Sequence, residues 1–279
     1  MSVIPLKGLN EEQARVQARS LELFHSHKRG LIQQYRSRYG VLVGTDLAQE
    51  MFPDYARDRE SRFRFAAAVQ RAAAALADAI FDEIVSQSSG GVALFTAGGT
   101  GAGKTSSIMR DDVARPAFLT STVIFDGNFN SVNSSKSKID SVLARGCEVV
   151  VIFVHRHPVE AYLQGVIPRA KEQGRSVPVS GHIRMHKDSL KTCLKVGRHF
   201  ADNPKVSFRV LNNTGHEQES FRSTIDYLKA VRYDFTVLEA TIRKALQHEL
   251  AEKRISEALY ESACGTSGVE PDQPIPSGA

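Results

Sequence analysis

The stretch VALFTAGGTGAGKTS, residues 92–106, decides the fold, because an apolar run of strand length passes directly into a glycine-rich loop. Residues 98–105 fit the pattern GxxxxGK[ST] at every required position, with a predicted strand before the loop and a helix start after it. Glycines let successive backbone N–H groups turn toward an anion, and the following helix presents its positive end to the same anion. The stretch therefore predicts a P-loop that binds a nucleoside triphosphate.

The side chains that end the loop have separate expected roles. Lys104 is expected to reach the β- and γ-phosphates, and the Thr105 hydroxyl is expected to hold Mg²⁺. The motif fits ATP and GTP equally. The predicted nucleotide-binding residues are Gly98, Gly99, Thr100, Gly101, Ala102, Gly103, Lys104, Thr105 and Ser106.

Apolar runs of strand length alternate with helical patterns on both sides of the loop. Predicted strands are 41–45, 92–97, 121–125, 148–154 and 206–211, and predicted helices are 10–37, 60–86, 134–145, 158–173, 183–201, 217–231 and 234–262. This alternation predicts an α/β fold, a P-loop kinase-like three-layer sandwich with a mainly parallel sheet of about five strands and extra N- and C-terminal helices.

The domain boundaries follow from the same pattern. A single domain is predicted over 1–264, with 1–40 as an N-terminal helical extension and 215–264 as C-terminal helices. The tail 265–279 is rich in Gly, Ser and Pro and is predicted to be disordered. The N-terminal helix is open to two interpretations, a built-in cover of the site or a buttress of the sheet, and the second is favoured.

Composition narrows the class of protein. The net charge of +5 comes from no long Lys or Arg block, aromatic residues are 8% and Trp is absent, so a nucleic-acid partner is not expected. Three cysteines without a CxxC pair indicate a reducing compartment. No signal peptide and no apolar run of about 18 residues stand out, so a cytoplasmic protein without a membrane span is expected.

Two further patterns carry polar side chains. The predicted strand 121–125 is followed by Asp126, and a carboxylate at the carboxyl end of a parallel strand lies where ligands bind in such sheets. Asp126 is therefore a candidate for holding Mg²⁺ or an acceptor hydroxyl, although Asp-Gly-Asn is also an ordinary turn sequence. His182 and His186 lie one helical turn apart, a spacing that zinc can use, but no third ligand stands out. They are expected to line the polar end of the sheet or to contact phosphate.

The P-loop, the segment 125–131 (FDGNFNS) and the region of Arg169 and Arg175 together resemble the zeta toxin family. This family is the kinase half of bacterial toxin–antitoxin pairs, and it phosphorylates the sugar 3′-hydroxyl of UDP-N-acetylglucosamine with ATP. The resemblance implies ATP and Mg²⁺ as cofactors, a small-molecule acceptor, and a small helical antitoxin that blocks the nucleotide site. It also implies that Arg169 and Arg175 face the transferred phosphoryl group.

The segment 125–131 departs from the family pattern. Asp126 stands where the family has Glu, Asn128 where it has Thr, and Asn130 where it has Arg. The resemblance still implies substrate contacts by Asp126 and Asn128, and Mg²⁺ contacts by Thr105 and Asp126.

One family element, a strand that ends in the catalytic aspartate, normally follows the P-loop helix, and residues 104–126 leave no room for it. Residues 41–46 (VLVGTD) fit that element, with Pro53 seven positions further on. We therefore predict that the chain is circularly permuted relative to the family, with Asp46 as the general base and a contact of the acceptor. Asp46 could also cap the helix that begins at Leu47, and the two roles are compatible.

The sequence thus predicts an ATP-dependent kinase with an alcohol group as acceptor, on a nucleotide sugar similar to UDP-N-acetylglucosamine or a related small metabolite. Two alternatives remain open at this point. One keeps the chemistry and changes the acceptor to a nucleoside, a dinucleotide or a nucleic-acid end. The other is a nucleotide-binding switch that phosphorylates nothing.

Overall fold

The computed structural model describes residues 3–213 and 224–265. Five strands, β1 (Leu42–Val43), β2 (Val92–Ala97), β3 (Val123–Asp126), β4 (Glu148–His155) and β5 (Val206–Asn212), form one sheet in the order β1-β3-β2-β4-β5. Every neighbouring pair is parallel. The carboxyl ends of all five strands therefore emerge at one edge, where ligands bind in sheets of this type. The predicted α/β fold is confirmed.

Helices cover both faces of this sheet. Within the described residues they are α1 (Glu11–Tyr39), α2 (Thr45–Gln49), α3 (Pro53–Ala56), α4 (Arg59–Gln87), α5 (Lys104–Arg110), α6 (Ala114–Thr120), α7 (Val132–Leu143), α8 (Pro158–Ala161), α9 (Ile167–Gln173), α10 (Val179–His199), α11 (Thr224–Ala230), α12 (Phe235–Ala251) and α13 (Glu257–Cys264). The beginning of the helix predicted over 217–231 and the tail 266–279 lie outside the described residues.

The central strand β2 shows why its sequence is apolar throughout. Ala93, Phe95 and Ala97 belong to the large core cluster under α1, α4, α7 and α10, whereas Leu94 belongs to a smaller cluster under α5 and α6. Successive side chains of a strand point to opposite faces, so a strand covered on both sides has no polar alternation. The two helical layers with the sheet between them are the three-layer arrangement that the sequence predicts.

The N-terminal helix supports the first strand. The Tyr35 hydroxyl of α1 donates to the carbonyl of Leu42 and accepts from the backbone N–H of Gly44, both at 3.0 Å. Tyr35 is fully buried, and α1 packs along α4. These contacts fix the turn that leads from β1 into α2 and favour the buttress interpretation of α1.

Two long helices predicted from the sequence are broken in the structure. The helix predicted over 158–173 is α8, a π-helical turn Tyr162–Val166 and α9. Pro168 follows that turn and has no N–H to give to the carbonyl four residues earlier, which breaks the α-helical hydrogen bonding there. The helix predicted over 234–262 is α12 and α13, because the chain turns at Lys253 with a φ of 54° and Ser256 caps α13 through the N–H of Leu259.

The C-terminal helices form a separate apolar cluster with the segment around α9. Its members include Tyr162, Ile167 and Ala170 from the π-helical turn and α9, and Ile242, Leu246 and Leu259 from α12 and α13. The cluster also contains Val179 and Ile183 of α10, so the C-terminal helices pack together with α10 and with the segment around α9.

Candidate active site

The glycine-rich loop joins the carboxyl end of β2 to α5. Gly103, with φ 77° and ψ 37°, is the N-cap of this helix, and α5 begins at Lys104. The first N–H groups of a helix have no partner within the helix, so those of Lys104, Thr105 and Ser106 are free to bind an anion. The predicted loop residues therefore occupy a strand–loop–helix unit of the expected form.

The loop is packed tightly on its outer side. A Cβ atom at Gly101 would lie 2.2 Å from the carbonyl oxygen of Ala161, and one at Gly165 would lie 2.5 Å from the carbonyl oxygen of Gly101. Only glycine allows this approach of the π-helical turn to the loop. The turn that interrupts the predicted helix therefore serves as one wall of the P-loop.

Donors from the outside occupy three successive loop carbonyls. His186 Nε2 bonds to the carbonyl of Thr100 at 3.0 Å, Arg156 Nη1 to that of Gly101 at 3.3 Å, and Asn213 Nδ2 to that of Ala102 at 2.9 Å. These contacts hold the loop from its outer side, and the N–H groups of Lys104, Thr105 and Ser106 at the start of α5 are the donors that a phosphate would meet.

Lys104 and the loop after β3 meet beside the P-loop. Lys104 Nζ donates to Asn128 Oδ1 at 3.1 Å, and the Asn128 amide in turn reaches Met185 Sδ at 3.2 Å. The Thr96 hydroxyl donates to Asp126 Oδ1 at 2.6 Å, since the two residues are register partners of β2 and β3. The structure thus brings the predicted Lys104, Asp126 and Asn128 to one place.

A strained residue directs this loop. Phe129 has a φ of 56°, in a region that non-glycine residues rarely adopt, and its ring is buried against Phe95. Such a conformation costs on the order of 1 kcal/mol and persists where packing over-determines it. Burial of the ring holds the backbone in this conformation and so fixes the neighbouring Asn128 against Lys104.

The oxygen atoms at this place suit Mg²⁺. Thr105 offers an exposed hydroxyl and Asp126 a carboxylate, and hard cations of this kind prefer oxygen ligands. Over 3–213 and 224–265, no cluster of three or more His, Cys, Asp or Glu side chains could hold a metal ion. Mg²⁺ commonly takes one or two protein oxygen ligands together with phosphate oxygens, and the oxygens of Thr105 and Asp126 fit that arrangement.

A second polar group surrounds α2. Asp46, in its first turn, lies 3.7 Å from Arg169 Nη2, and both side chains are substantially exposed, at 67% and 41%. Arg175 Nη2 lies 2.5 Å from Glu50 Oε1, and Arg62 Nη2 lies 2.8 Å from Glu50 Oε2. The predicted general base and both predicted arginines thus gather around one short helix.

Glu50 is a member of this group that the sequence did not reveal. Its side chain is only 7% exposed. Burial by itself would lower the pKa of Arg175, but the hydrogen bond to Glu50 and the nearby Asp46 raise it above its ordinary value. The spacing of four residues from Asp46 on a helix is a signal that could have found Glu50, because it places both carboxylates on one side of α2.

The two groups lie at neighbouring strand ends. Leu42 and Val43 of β1 pair with Ile124 and Phe125 of β3, and a Cβ atom at Gly44 would lie 3.3 Å from the carbonyl oxygen of Asp126. The chain around Asp46 therefore packs directly on the strand end that carries Asp126. Both Asp46 and Lys104 lie in the described part of the chain, and they make no hydrogen bond or ion pair with each other there.

These features define a class: an α/β protein of P-loop kinase-like architecture with a glycine-rich loop at the carboxyl edge of a parallel sheet. Residues 120–216 match the sequence model of the zeta toxin family, which confirms the resemblance drawn from the motifs. The matched segment runs from the end of α6 through β3, β4 and β5, and so contains Asp126, Arg169 and Arg175.

Two further comparisons complete this result. A solved chain from a characterisation of the PezAT chromosomal toxin–antitoxin system of the human pathogen Streptococcus pneumoniae is similar at 12% identity with a TM-score of 0.42, over 86% of this chain and 98% of that one. Comparison with curated proteins gives no match. Of the helices in the described part of the chain, none is both long and apolar enough to cross a membrane.

Proposed function

We propose that the chain is an ATP-dependent phosphotransferase that transfers the γ-phosphoryl group to a hydroxyl of a small molecule. The observation that carries this proposal is the meeting of Lys104 with Asn128 beside Asp126, next to the strand end that carries Asp46. A phosphate-binding loop and a group that combines a carboxylate with arginines thereby share one edge of the sheet.

On the nucleotide side, the N–H groups of the loop and Lys104 hold the β- and γ-phosphates of ATP. Thr105 and Asp126 would hold Mg²⁺, which would supply positive charge to the phosphate oxygens. Asp126 is kept in place by the Thr96 hydroxyl on one carboxylate oxygen, and its other oxygen is left for the metal or the acceptor. Asn128 exchanges its contact with Lys104 for one with substrate.

On the acceptor side, Asp46 is the general base. It takes the proton of the acceptor hydroxyl as that oxygen bonds to the γ-phosphorus, and the bond from this phosphorus to the bridging oxygen of ADP breaks. Arg169 is free to turn toward the phosphoryl group because its ion pair with Asp46 is long and exposed. Arg175 is fixed by Glu50 and supplies a stationary charge.

The acceptor that we propose first is a nucleotide sugar similar to UDP-N-acetylglucosamine, or a related small metabolite. The match of residues 120–216 to the zeta toxin family supports this choice. We also propose a small helical antitoxin as partner, as the resemblance to the zeta toxin family implies, and a cytoplasmic location. A nucleoside, a dinucleotide or a nucleic-acid end is the alternative acceptor, and a non-catalytic switch is the alternative function.

We also propose that the chain is a circular permutation of the family's order. β1 lies at the edge of the sheet beside β3, and α4 leads from β1 back to the P-loop strand β2. A strand that followed the P-loop helix in sequence could occupy this same edge without changing the neighbours of the other strands. The proposal is supported by this placement of Asp46 at the carboxyl edge.

The test is an ATP-consumption screen over nucleotide sugars, nucleosides and NAD, followed by variants. Lys104→Ala should abolish turnover, and Asp46→Asn should lower kcat by about a hundredfold or more while ATP affinity changes little. The matched controls are Lys195→Ala and Asp140→Asn, which change exposed residues of α10 and α7.

Three results would decide between the candidates. Full turnover in Asp46→Asn would remove the general-base assignment and the permutation with it. ATP binding by the wild type without consumption in the presence of any acceptor would favour the switch. Expression of the wild type should inhibit growth while Lys104→Ala should not, and equal growth would count against a toxin.

A further inference from the structure

One face of α10 is devoted to the phosphate loop. His182, His186 and Ser189 follow each other at helical spacing, and all three are buried. Each contacts the loop: His182 Nδ1 lies 2.6 Å from the Thr100 hydroxyl, His186 Nε2 lies 3.0 Å from the Thr100 carbonyl oxygen, and Ser189 Oγ accepts from the N–H of Gly98 at 2.9 Å. The contacts join residues more than 80 positions apart, so they are tertiary features of the fold.

The ring nitrogens of the two histidines are assigned by their partners. His182 Nε2 lies 2.9 Å from the carbonyl oxygen of Pro158 and must donate to it, which leaves Nδ1 to accept the hydroxyl hydrogen of Thr100. His186 Nε2 faces a carbonyl oxygen and must also donate. Two neutral imidazoles therefore hydrogen-bond to Thr100, His182 to its hydroxyl and His186 to its backbone carbonyl.

Burial keeps both rings neutral. It lowers the pKa of His182 to about 4 and that of His186 well below its ordinary value, the neighbouring His182 and the charge of Lys104 adding to the effect at His186. The centroids of the two imidazole rings lie 4.4 Å apart, and the Tyr162 ring packs against His182 in a T-shaped arrangement. The hydrogen-bonding pattern at Thr100 is thus fixed over the physiological pH range.

The contact also accounts for a glycine of the loop. A Cβ atom at Gly99 would lie 2.1 Å from the His186 ring, so the backbone of the loop rests directly on the imidazole. A buried N–H needs an acceptor, and that of His186 takes the carbonyl oxygen of Thr100 while the same ring packs on Gly99, so both contacts of the ring are made to the loop.

We propose that His182 and His186 are positioning residues of the nucleotide site, which set the loop in its phosphate-binding conformation before the nucleotide arrives. This inference rests on the proposed nucleotide-binding function, and it assigns to α10 the part of a fixed support. Each would act through Thr100, since His186 binds its carbonyl oxygen and His182 binds its hydroxyl.

The test compares variants that keep or remove one hydrogen bond. His186→Gln retains a side-chain N–H donor, whereas His186→Leu removes it and keeps an apolar group of similar size. Thr100→Ser retains the hydroxyl that His182 accepts, and Thr100→Val removes it. His199→Leu, at an exposed position of the same helix, is the control.

Two readouts separate loop positioning from general stability. The first is amide hydrogen exchange at Gly98, Ala102 and Ser107 of the nucleotide-free protein, since these N–H groups are hydrogen-bonded only when the loop is in place. The second is ATP affinity by titration calorimetry. We expect His186→Leu to raise loop exchange and weaken ATP binding, each by about tenfold, and His186→Gln to stay within about threefold of wild type.

The outcomes are distinct. Unchanged loop exchange in His186→Leu, or a rise of equal size in α7, would overturn the proposal and leave the histidines a general structural role. If His186→Leu fails to fold, Thr100→Val against Thr100→Ser decides by the same measurements. If the wild type binds no ATP and loop exchange still separates the Leu and Gln variants, the proposed function fails while the positioning role stands.

Discussion

Acidification should destabilise this protein at pH values above those at which most carboxylates titrate, because the folded protein buries histidines in their neutral form. Burial lowers the pKa of His155 and of His182 to about 4 each, and the nearby His157 adds to the effect at His155. His155 is held between the hydroxyls of Tyr227 and Tyr233 at the end of β4. In the unfolded chain the same imidazoles have a pKa of about 6.5.

The sign follows from the protons that each state binds. At pH values between about 4 and 6.5 the unfolded chain is protonated at these histidines and the folded protein is not, so stability falls as the pH falls. At about pH 5, proton binding stabilises the unfolded state by about 2 kcal/mol per histidine, whereas it stabilises the folded state hardly at all. Two such histidines lower the free energy of unfolding by about 4 kcal/mol relative to its value above about pH 7.5, and His186 adds to this.

Urea unfolding followed by circular dichroism at several pH values between about 7.5 and 5 measures this loss, above the range where most carboxylates titrate. Asp82 works in the opposite direction, since burial raises its pKa, and Asp82→Asn removes its contribution. The exposed-site variant His199→Gln should keep the wild-type slope, and His182→Gln should flatten it. A free energy of unfolding that is independent of pH over this window would refute the assignment of neutral buried imidazoles.

Two further predictions concern packing around the site. Glu50→Gln should lower the free energy of unfolding by about 2 kcal/mol, which is less than for a fully buried ion pair because Arg62 and Arg175 remain partly exposed. Urea unfolding measures this loss, with Glu22→Gln as the exposed control. Equal stability of the two variants would contradict the prediction. Gly99→Ala should weaken ATP binding by about tenfold or more, because the added Cβ would displace the His186 ring. Titration calorimetry measures the affinity. An affinity equal to that of the wild type would show that the ring moves freely.

Local sequence signals were sufficient for the sheet and the phosphate loop. Each strand is an apolar run that needs no distant partner to be recognised, and the loop is one continuous stretch, residues 98–105. The first strand is shorter than predicted, because Thr45 already begins α2. This strand, β1, lies at the edge of the sheet and pairs only with β3 among the described strands, through Leu42 and Val43.

Long-range contacts explain what the sequence did not predict. Glu50 meets Arg175 across 125 residues, and no pattern around either residue announces the other. The spacing of His182 and His186 is visible in the sequence, but their partner Thr100 lies 82 and 86 residues away. Spacing on one helix indicates that two side chains share a face and does not indicate what that face contacts.

The two arginines of the proposed site differ in how firmly they are held. Arg169 lies on α9, whose Ile167 and Ala170 belong to the apolar cluster built with α12 and α13. Arg175 follows α9 and is bound to the buried Glu50, so its guanidinium is fixed from the sheet side. The position of α9 relative to Asp46 therefore depends on the C-terminal helices as much as on the sheet. A substitution that loosens this cluster should therefore change the position of Arg169 relative to Asp46. It should also reach the phosphate loop, because Val166 of the π-helical turn and Ile183 of α10 belong to the same cluster.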